Sequence, residues 1–145
     1  MTHSIHGRSV IVTGGSKGIG KGIGDVFAQA GARVAILSRH GSEAHEAAKD
    51  IGCGAFGLAA DVTSPDALGR AVQDVAKRHG GIDVLCANAG IFPAARLEDM
   101  TSSNWDQVID TNLKGTFNSV KAALPYLKQS DQGRIVLTSS ITGPV

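Results

Sequence analysis

The sequence has no long hydrophobic run and no cluster of like charges. Its apolar stretches are far shorter than the ~20 residues that a membrane-spanning helix needs, so no membrane partner is expected. The formal net charge of the 145 residues is +1, without a stripe of Lys or Arg. A nucleic-acid partner therefore has little support. The first ten residues, MTHSIHGRSV, lack the apolar core of a secretory signal. These absences favour a soluble globular protein.

Cysteine is also scarce. Cys53 and Cys86 are the only two cysteines, and neither has a metal-ligand spacing. Both lie among apolar residues, so we expect buried free thiols of a reducing, cytoplasmic compartment. The five histidines are scattered along the chain. No metal site is predicted.

What the sequence does contain is a regular alternation of apolar runs and helix-like segments. The apolar runs occupy 9–13, 33–38, 55–61, 83–90 and 134–140. They do not alternate polar and apolar residues, which is typical of strands buried on both faces. Parallel strands need crossover connections, and right-handed helical crossovers give an open, doubly wound α/β sheet, the Rossmann fold. We therefore expect residues 1–145 to form one such domain, with about five strands.

Two helix-like segments carry clear start signals. Ser64 and Pro65 suit the cap and first turn of a helix that ends at Gly80. Its apolar stripe comprises Leu68, Val72, Val75 and Ala76. Thr101 is the predicted cap of a later helix. An apolar stripe at helical spacing continues that helix through roughly 111–128, with Leu113, Phe117, Val120, Leu124 and Leu127.

A glycine-rich segment, TGGSKGIGKGIG, follows the first strand and opens the first helix at residues 13–24. Gly14 permits a turn that a Cβ would obstruct. Gly18 and Gly20 let the backbone approach a pyrophosphate at the helix N-terminus, where free N–H groups and the helix dipole favour anions. A plain glycine-rich turn is the alternative. The position inside a complete βαβ unit favours a dinucleotide site.

Two further glycines, Gly22 and Gly24, fall inside the same helix. Each is expected to cost ~1 kcal/mol of helix stability relative to Ala. Close packing of the helix against the sheet would compensate for this cost.

The residues after the second strand indicate which coenzyme is preferred. A reader of the ribose 2′-hydroxyl would be an acid about 20 residues past the glycines. Ser38 and Arg39 occupy that neighbourhood, and Lys17 lies in the glycine segment. Two cations without an acid suit a 2′-phosphate, so NADP(H) is predicted over NAD(H). The alternative for Arg39 is a solvated surface charge.

Five motifs in register resemble the short-chain dehydrogenase/reductase family. They are T-G-x-x-x-G-x-G at 13–20, DV at 61–62, NAG at 88–90, NLKG at 112–115 and GRIVLTSS at 133–140. The resemblance covers essentially the whole chain. Within the family, the sequence is most similar to 3-oxoacyl-[acyl-carrier-protein] reductases and related sugar, alcohol or steroid dehydrogenases. The family often has N-N-A-G where this chain has ANAG, so Ala87 is a departure.

The resemblance places cofactor residues where several strands end. Asp61 would accept a hydrogen bond from the adenine amino group, and Asn88 would line the cofactor after the fourth strand. Ligands of open α/β sheets bind at such strand ends, although Asp and Asn are also favoured in plain turns. Ser38 and Arg39, at the end of the second strand, complete the set. The predicted cofactor residues are Gly14, Ser16, Lys17, Gly18, Ile19, Gly20, Ser38, Arg39, Asp61, Val62, Asn88, Ala89 and Gly90.

Asn112 and Ser140 are the catalytic residues that the resemblance implies. Asn112 would fix a water of a proton relay through a local irregularity in its helix. Ser140 would hydrogen-bond the substrate oxygen, with Ser139 as the less favoured neighbour. The alternatives are an exposed mid-helix Asn and a Ser that caps the strand end.

The family pattern continues with a Tyr and a Lys downstream of this serine. The Lys lowers the pKa of the Tyr so that the phenol can exchange a proton. Only five residues follow Ser140, and the single tyrosine, Tyr126, precedes the strand. We therefore expect the dinucleotide-binding domain to be incomplete at its C-terminus.

The resemblance thus implies an oxidoreductase that transfers a hydride between NADP(H) and a small-molecule carbonyl or secondary alcohol, of the 3-oxoacyl type or another ketone. The alternative is an NAD(P)-binding module without turnover, since the Tyr/Lys pair is not in the chain. Family members similar to this chain commonly assemble through the 111–128 helix, so a homo-oligomer, tetramer or dimer, is expected.

Overall fold

A computed structural model describes residues 4–140. The elements are β1 (Ser9–Thr13), α1 (Gly18–Gln29), β2 (Arg33–Ser38), α2 (Gly41–Ile51), β3 (Phe56–Ala59), α3 (Pro65–His79), β4 (Val84–Ala87), α4 (Ser102–Val108), α5 (Gly115–Leu127) and β5 (Arg134–Leu137). A short 3₁₀ turn, Leu97–Asp99, precedes α4, and a π-helical segment, Ile109–Lys114, joins α4 to α5. The predicted alternation of strands and helices is confirmed.

The strands form one parallel sheet in the order β3-β2-β1-β4-β5. From β1 the chain moves outward through β2 to β3, and α3 then carries it back to β4 on the other side of β1. Thr13 at the end of β1 lies level with Leu37 of β2 and Ala87 of β4. The strand order therefore reverses beside β1, which in open α/β sheets leaves a crevice at the carboxyl ends of the strands. The doubly wound α/β fold is confirmed.

Helices cover both faces of the sheet. The apolar residues of α1 and α2 pack on one face, and those of α3 and α5 pack on the other. Strands β1 and β4 are buried at every residue, which explains why neither alternates polar and apolar side chains. The predicted stripe of α3 is buried along its whole length.

Both predicted helix caps are present. The hydroxyl of Ser64 accepts a hydrogen bond from the Ala67 N–H at 3.4 Å, and Gly80 ends α3 in the left-handed conformation. Thr101 accepts from the Asn104 N–H at 3.1 Å, and the Asn104 side chain accepts in return from the Thr101 N–H. This reciprocal capping box fixes where α4 begins.

The two interior glycines of α1 differ. A Cβ on Gly24 would lie 2.7 Å from Cδ1 of Ile36 and 3.1 Å from Cδ1 of Ile51, whereas a Cβ on Gly22 would meet no atom within 4 Å. The expected compensation by close packing therefore holds for Gly24 and fails for Gly22.

The stripe predicted for 111–128 is only partly buried. Leu127 is buried, but Leu113 and Phe117 are 66% and 61% exposed. The face of α5 that turns inward carries small residues, among them Gly115 and Ala123. Small residues let α5 approach the rest of the domain closely, and the larger apolar side chains are left outside. The helical period was predicted correctly; within the stripe, Leu127 and Val120 pack against the core, and Leu113 and Phe117 do not.

The burial predicted for Cys86 is confirmed, whereas Cys53 and strand β5 depart from expectation. Cys86 is buried in β4, and burial raises the pKa of its thiol to about 11. Cys53, by contrast, is exposed, because it lies in a turn between α2 and β3.

All of β5 is exposed, and it pairs with β4 alone, so it forms the edge of the sheet within residues 4–140. In the same part of the chain, no helix has the length and hydropathy of a membrane span.

Candidate functional site

A cleft of about 780 Å³ opens at the carboxyl ends of the strands, beside the reversal of strand order. Of the predicted cofactor residues, those that line it are Gly14, Ser16, Lys17, Ile19, Gly20, Ser38, Arg39, Asp61, Val62, Asn88, Ala89 and Gly90. The remaining one, Gly18, lies between two lining residues. The fold thus brings together residues that are as far apart in the sequence as Gly14 and Gly90.

The glycine loop packs against the turn that follows β4. Gly14 has a φ of +64°, and a Cβ there would lie 2.6 Å from the Cα of Ala89. A Cβ on Gly20 would collide with the carbonyl oxygen of Gly14 and crowd the side-chain amide of Asn88. Both glycines are therefore required by packing within the protein, whether or not a ligand is bound.

The N-terminus of α1 has the properties of an anion site. Lys17 is the cap residue, its side chain makes no capping hydrogen bond, and no acid lies in the first turn. Gly18 has a φ of +54°, and a Cβ there would meet no atom within 4 Å. The first-turn N–H groups and the helix dipole favour negative charge, and open space in front of Gly18 admits it. These residues fit the diphosphate of a dinucleotide.

Asn88 joins three strands at the floor of the cleft. Its N–H donates to the Thr13 hydroxyl at 3.1 Å, and its side-chain amide donates to the Gly14 carbonyl at 3.2 Å. The Thr138 hydroxyl donates to Oδ1 of Asn88 at 3.1 Å. Because the side chain and the backbone of Asn88 are both engaged, the ends of β1, β4 and β5 keep fixed relative positions.

Asp61 is held in one orientation after β3. Its Oδ1 accepts from the N–H and the hydroxyl of Thr63 at 2.9 and 2.7 Å. Among residues 4–140, no hydrogen bond reaches Oδ2. The next residue, Val62, is anchored to α5 because its carbonyl accepts from the buried side-chain amide of Asn118 at 2.9 Å. One carboxylate oxygen therefore remains for a donor such as an adenine amino group.

Charged and hydroxyl groups gather at the end of the cleft beside β2. Lys17 and Arg39 are exposed, and neither forms an ion pair or side-chain hydrogen bond with another of the residues 4–140. The Ser38 hydroxyl donates to the Ser16 oxygen at 3.3 Å, and the Ser16 hydroxyl donates to Oε2 of Glu43 at 3.2 Å. No acid was predicted here from the sequence, but Glu43 of α2 supplies one.

The catalytic residues implied by the resemblance lie toward the other end. Asn112 is in the π-helical segment, so the expected irregularity in its helix is confirmed. Its side chain bonds to the backbone of Ile91, a residue that lines the cleft. Ser140 is exposed beyond the end of β5, and the cleft-lining residue of this segment is Thr138. Asn112 thus reaches the cleft through its contact with Ile91.

Thr13, Thr138 and Glu43 are site residues that the sequence analysis did not identify. The hydroxyl of Thr13 accepts from two backbone N–H groups, those of Asn88 and Ala89. Thr13 could have been identified from the sequence, because it ends a predicted strand and lies level with the NAG motif. Glu43 had no such signal, because its distance from Ser16 depends on how α2 sits against the glycine loop.

The short chain dehydrogenase family profile matches residues 8–145. An oxidoreductase of Mycobacterium bovis that carries the description "uncharacterized" is 38% identical over 148 aligned residues, which cover 100% of this chain and 60% of that protein. The 3-oxoacyl-[acyl-carrier-protein] reductase FabG of Staphylococcus aureus is 37% identical over 142 residues, 95% of this chain and 58% of that protein. The chain therefore spans about 60% of the length of these relatives.

A solved structure of a short chain dehydrogenase is also similar to this chain. The crystal structure of a short chain dehydrogenase from Burkholderia cenocepacia, in complex with NADP, superposes with a TM-score of 0.86 at 36% identity. The match covers 96% of this chain and 58% of that one.

Proposed function

This chain belongs to the short-chain dehydrogenase family, and from its cleft we propose that it binds NADP(H) and serves hydride exchange between that coenzyme and a small carbonyl or secondary-alcohol substrate. The observation that carries the proposal is that the predicted cofactor residues after β1, β2, β3 and β4 line one cleft. The Burkholderia relative, whose structure contains NADP, supports the choice of coenzyme. A 3-oxoacyl substrate is supported by the name of the Staphylococcus relative, a 3-oxoacyl-[acyl-carrier-protein] reductase.

The proposed cofactor contacts follow from the chemistry of the lining groups. The amides at the N-terminus of α1 would hold the diphosphate, and Lys17 and Arg39 would hold the 2′-phosphate. Asp61 would accept from the adenine amino group through the oxygen that Thr63 leaves available. When bound, the nicotinamide supplies or accepts the hydride. The protein's part is to orient the coenzyme and to move a proton.

Ser140 and Asn112 are the proposed catalytic and positioning residues. Ser140 would donate a hydrogen bond to the substrate oxygen, where negative charge develops during reduction. Asn112 would order the proton path through the π-helical segment and its contact with Ile91. Tyr126 does not reach the cleft, because it lines a different surface depression with Gly81 and Asp83. The acid–base group is therefore proposed to lie outside residues 4–140.

A binding module without turnover is the second candidate. The observation that favours it is that no tyrosine among residues 4–140 lines the cleft. The two functions share the coenzyme site, so coenzyme binding alone does not separate them.

A homo-oligomer is also proposed. Leu113 and Phe117 are four residues apart and exposed, with Trp105 and Ile109 preceding them at the same spacing. This face of the π-helical segment and its flanking helices is apolar, and a second copy of the chain could bury it.

The experiment uses the full-length gene product with NADPH and a 3-oxoacyl thioester, and follows the loss of NADPH fluorescence. Turnover is expected, and Ser140→Ala should lower it about 100-fold or more while leaving the Kd for NADPH unchanged. Ser139→Ala is the matched control and should change turnover less than about threefold. Binding of NADPH without turnover of that thioester or of any simple ketone would rule out the enzyme and leave the binding module.

A further inference from the structure

An acidic side chain lies at the end of the cleft where the two cations gather. Glu43 is the third residue of α2 and is half-buried. It lines the cleft together with Ser16, Lys17, Ser38 and Arg39. These five residues therefore carry two positive formal charges and one negative, where the sequence alone indicated two positive charges.

The hydroxyl groups at this end are committed to the carboxylate. Ser38 donates to Ser16 at 3.3 Å, and Ser16 donates onward to Glu43 at 3.2 Å. A hydroxyl has one proton to donate, so neither serine has a donor left for a phosphate while this chain of bonds is intact. The cations Lys17 and Arg39, in contrast, have no competing partner among residues 4–140.

Two ribose substituents would meet this arrangement differently. A 2′-phosphate gains from the cations, but it shares the cleft with a like charge and has to compete with Glu43 for the Ser16 proton. A 2′-hydroxyl carries no charge and can itself donate to a carboxylate. The acid that reads this hydroxyl in dinucleotide folds stands near the end of the second strand. Glu43 belongs to the following helix, but its carboxylate lines the same end of the cleft.

We propose that Glu43 is a specificity-determining residue that weakens the binding of NADP(H) and strengthens the binding of NAD(H), so that the chain discriminates between the coenzymes less than its two cations alone would. This inference rests on the proposed function, because it concerns the same coenzyme site. Glu43 acts through its charge and through its hold on the Ser16 hydroxyl.

The test measures the Kd values of NADPH and NADH by fluorescence titration of the full-length gene product. The variant is Glu43→Gln, which keeps the size and an acceptor oxygen for Ser16 but removes the charge. NADPH should bind about 3- to 10-fold more tightly and NADH about 2-fold more weakly. The gain for NADPH should shrink at high salt, because added ions screen the repulsion.

Glu46→Gln is the matched control. Glu46 lies on the same helix and is exposed, and it does not line the cleft, so its removal changes the net charge equally. It should leave the ratio of the two Kd values unchanged. Equal unfolding midpoints of the parent and both variants show that the comparison is between folded proteins.

The outcomes separate this inference from the proposed function. If Glu43→Gln matches Glu46→Gln, or if it weakens NADPH binding, the assignment of Glu43 is wrong while the coenzyme site stands. If the parent binds neither NADPH nor NADH, the proposed function itself fails.

Discussion

The side chain of Asn112 holds both polar atoms of the Ile91 backbone. Oδ1 accepts from the Ile91 N–H at 2.8 Å, and Nδ2 donates to the Ile91 carbonyl at 2.9 Å. The two residues are 21 positions apart, and Ile91 directly follows the NAG motif. The pair therefore joins the π-helical segment to the segment that leaves β4 and lines the cleft.

Replacing Asn112 by Ala should loosen this segment. Both hydrogen bonds are lost, at about 0.5–1.5 kcal/mol each, so amide exchange in the peptide containing Ile91 should accelerate about tenfold or more. Hydrogen–deuterium exchange with mass spectrometry measures this. Asn104→Ala, which removes the capping box of α4, is the control and should leave the same peptide unchanged. Unchanged protection in the Asn112→Ala variant would show that the pair does not hold the segment.

Replacing the two interior glycines of α1 by Ala should change the free energy of unfolding in opposite directions. Gly22→Ala should raise the free energy of unfolding by about 0.5–1 kcal/mol, because the site is open and Ala favours the helix. Gly24→Ala should lower it by about 1–3 kcal/mol, because the added methyl overpacks against Ile36 and Ile51. Urea denaturation of the two variants measures both changes. Equal effects would contradict the packing described for this helix.

Stability should depend on the protonation of His79. Burial lowers its pKa to about 4 from 6.5, helped by the positive charges of Arg33 and Arg78, and its Nδ1 lies 2.8 Å from the Ser9 hydroxyl. The folded state keeps His79 neutral while the unfolded state takes up a proton below pH 6.5. The stabilisation is therefore complete above pH 6.5 and is lost as the pH falls toward 4.

The full loss should be on the order of 3 kcal/mol. Denaturant titrations across this pH range measure it, and His79→Gln should flatten the dependence between pH 6.5 and 4. Asp83 has a lowered pKa through its hydrogen bonds, and its contribution is lost only at lower pH. A parent and a His79→Gln variant with the same slope in this window would exclude His79 as the cause.

Self-association should depend on the exposed apolar face that contains Phe117. Phe117→Lys places a charge in this face and should shift the full-length gene product to a smaller assembly in light scattering, since a buried unpaired charge is costly. Val26→Lys is the control, because Val26 is 68% exposed but lies on α1, which packs on the other face of the sheet. An unchanged mass for Phe117→Lys would place any interface elsewhere.

The sequence was sufficient for the sheet and for most of the cleft. Buried parallel strands appear as short apolar runs, and a ligand site follows from where such strands end, so Gly14 could be placed without coordinates. Asp61 and Asn88 were assigned by the family resemblance, and they too follow strands and line the cleft. The helix caps could also be predicted from the sequence, because Ser64 and Thr101 accept hydrogen bonds from N–H groups only three positions away. In each of these cases the determining interaction is local or follows from strand topology.

What could not be predicted depends on how elements sit against each other. The period of α5 was visible, but small residues such as Ala123 turned out to face the core, leaving Phe117 outside. Glu43 reaches Ser16 only because α2 packs beside the glycine loop. The contrast between Gly22 and Gly24 likewise depends on which sheet residue lies opposite.

The most direct measurement of the central claim is the Kd of NADPH for the parent and for a Lys17→Glu, Arg39→Asp double variant of the full-length gene product. The parent should bind NADPH more tightly than NADH. The double variant should bind NADPH about 100-fold more weakly and should weaken NADH binding much less, because NADH lacks the 2′-phosphate that loses both of its partners. Equal affinity of parent and double variant for NADPH would contradict the account.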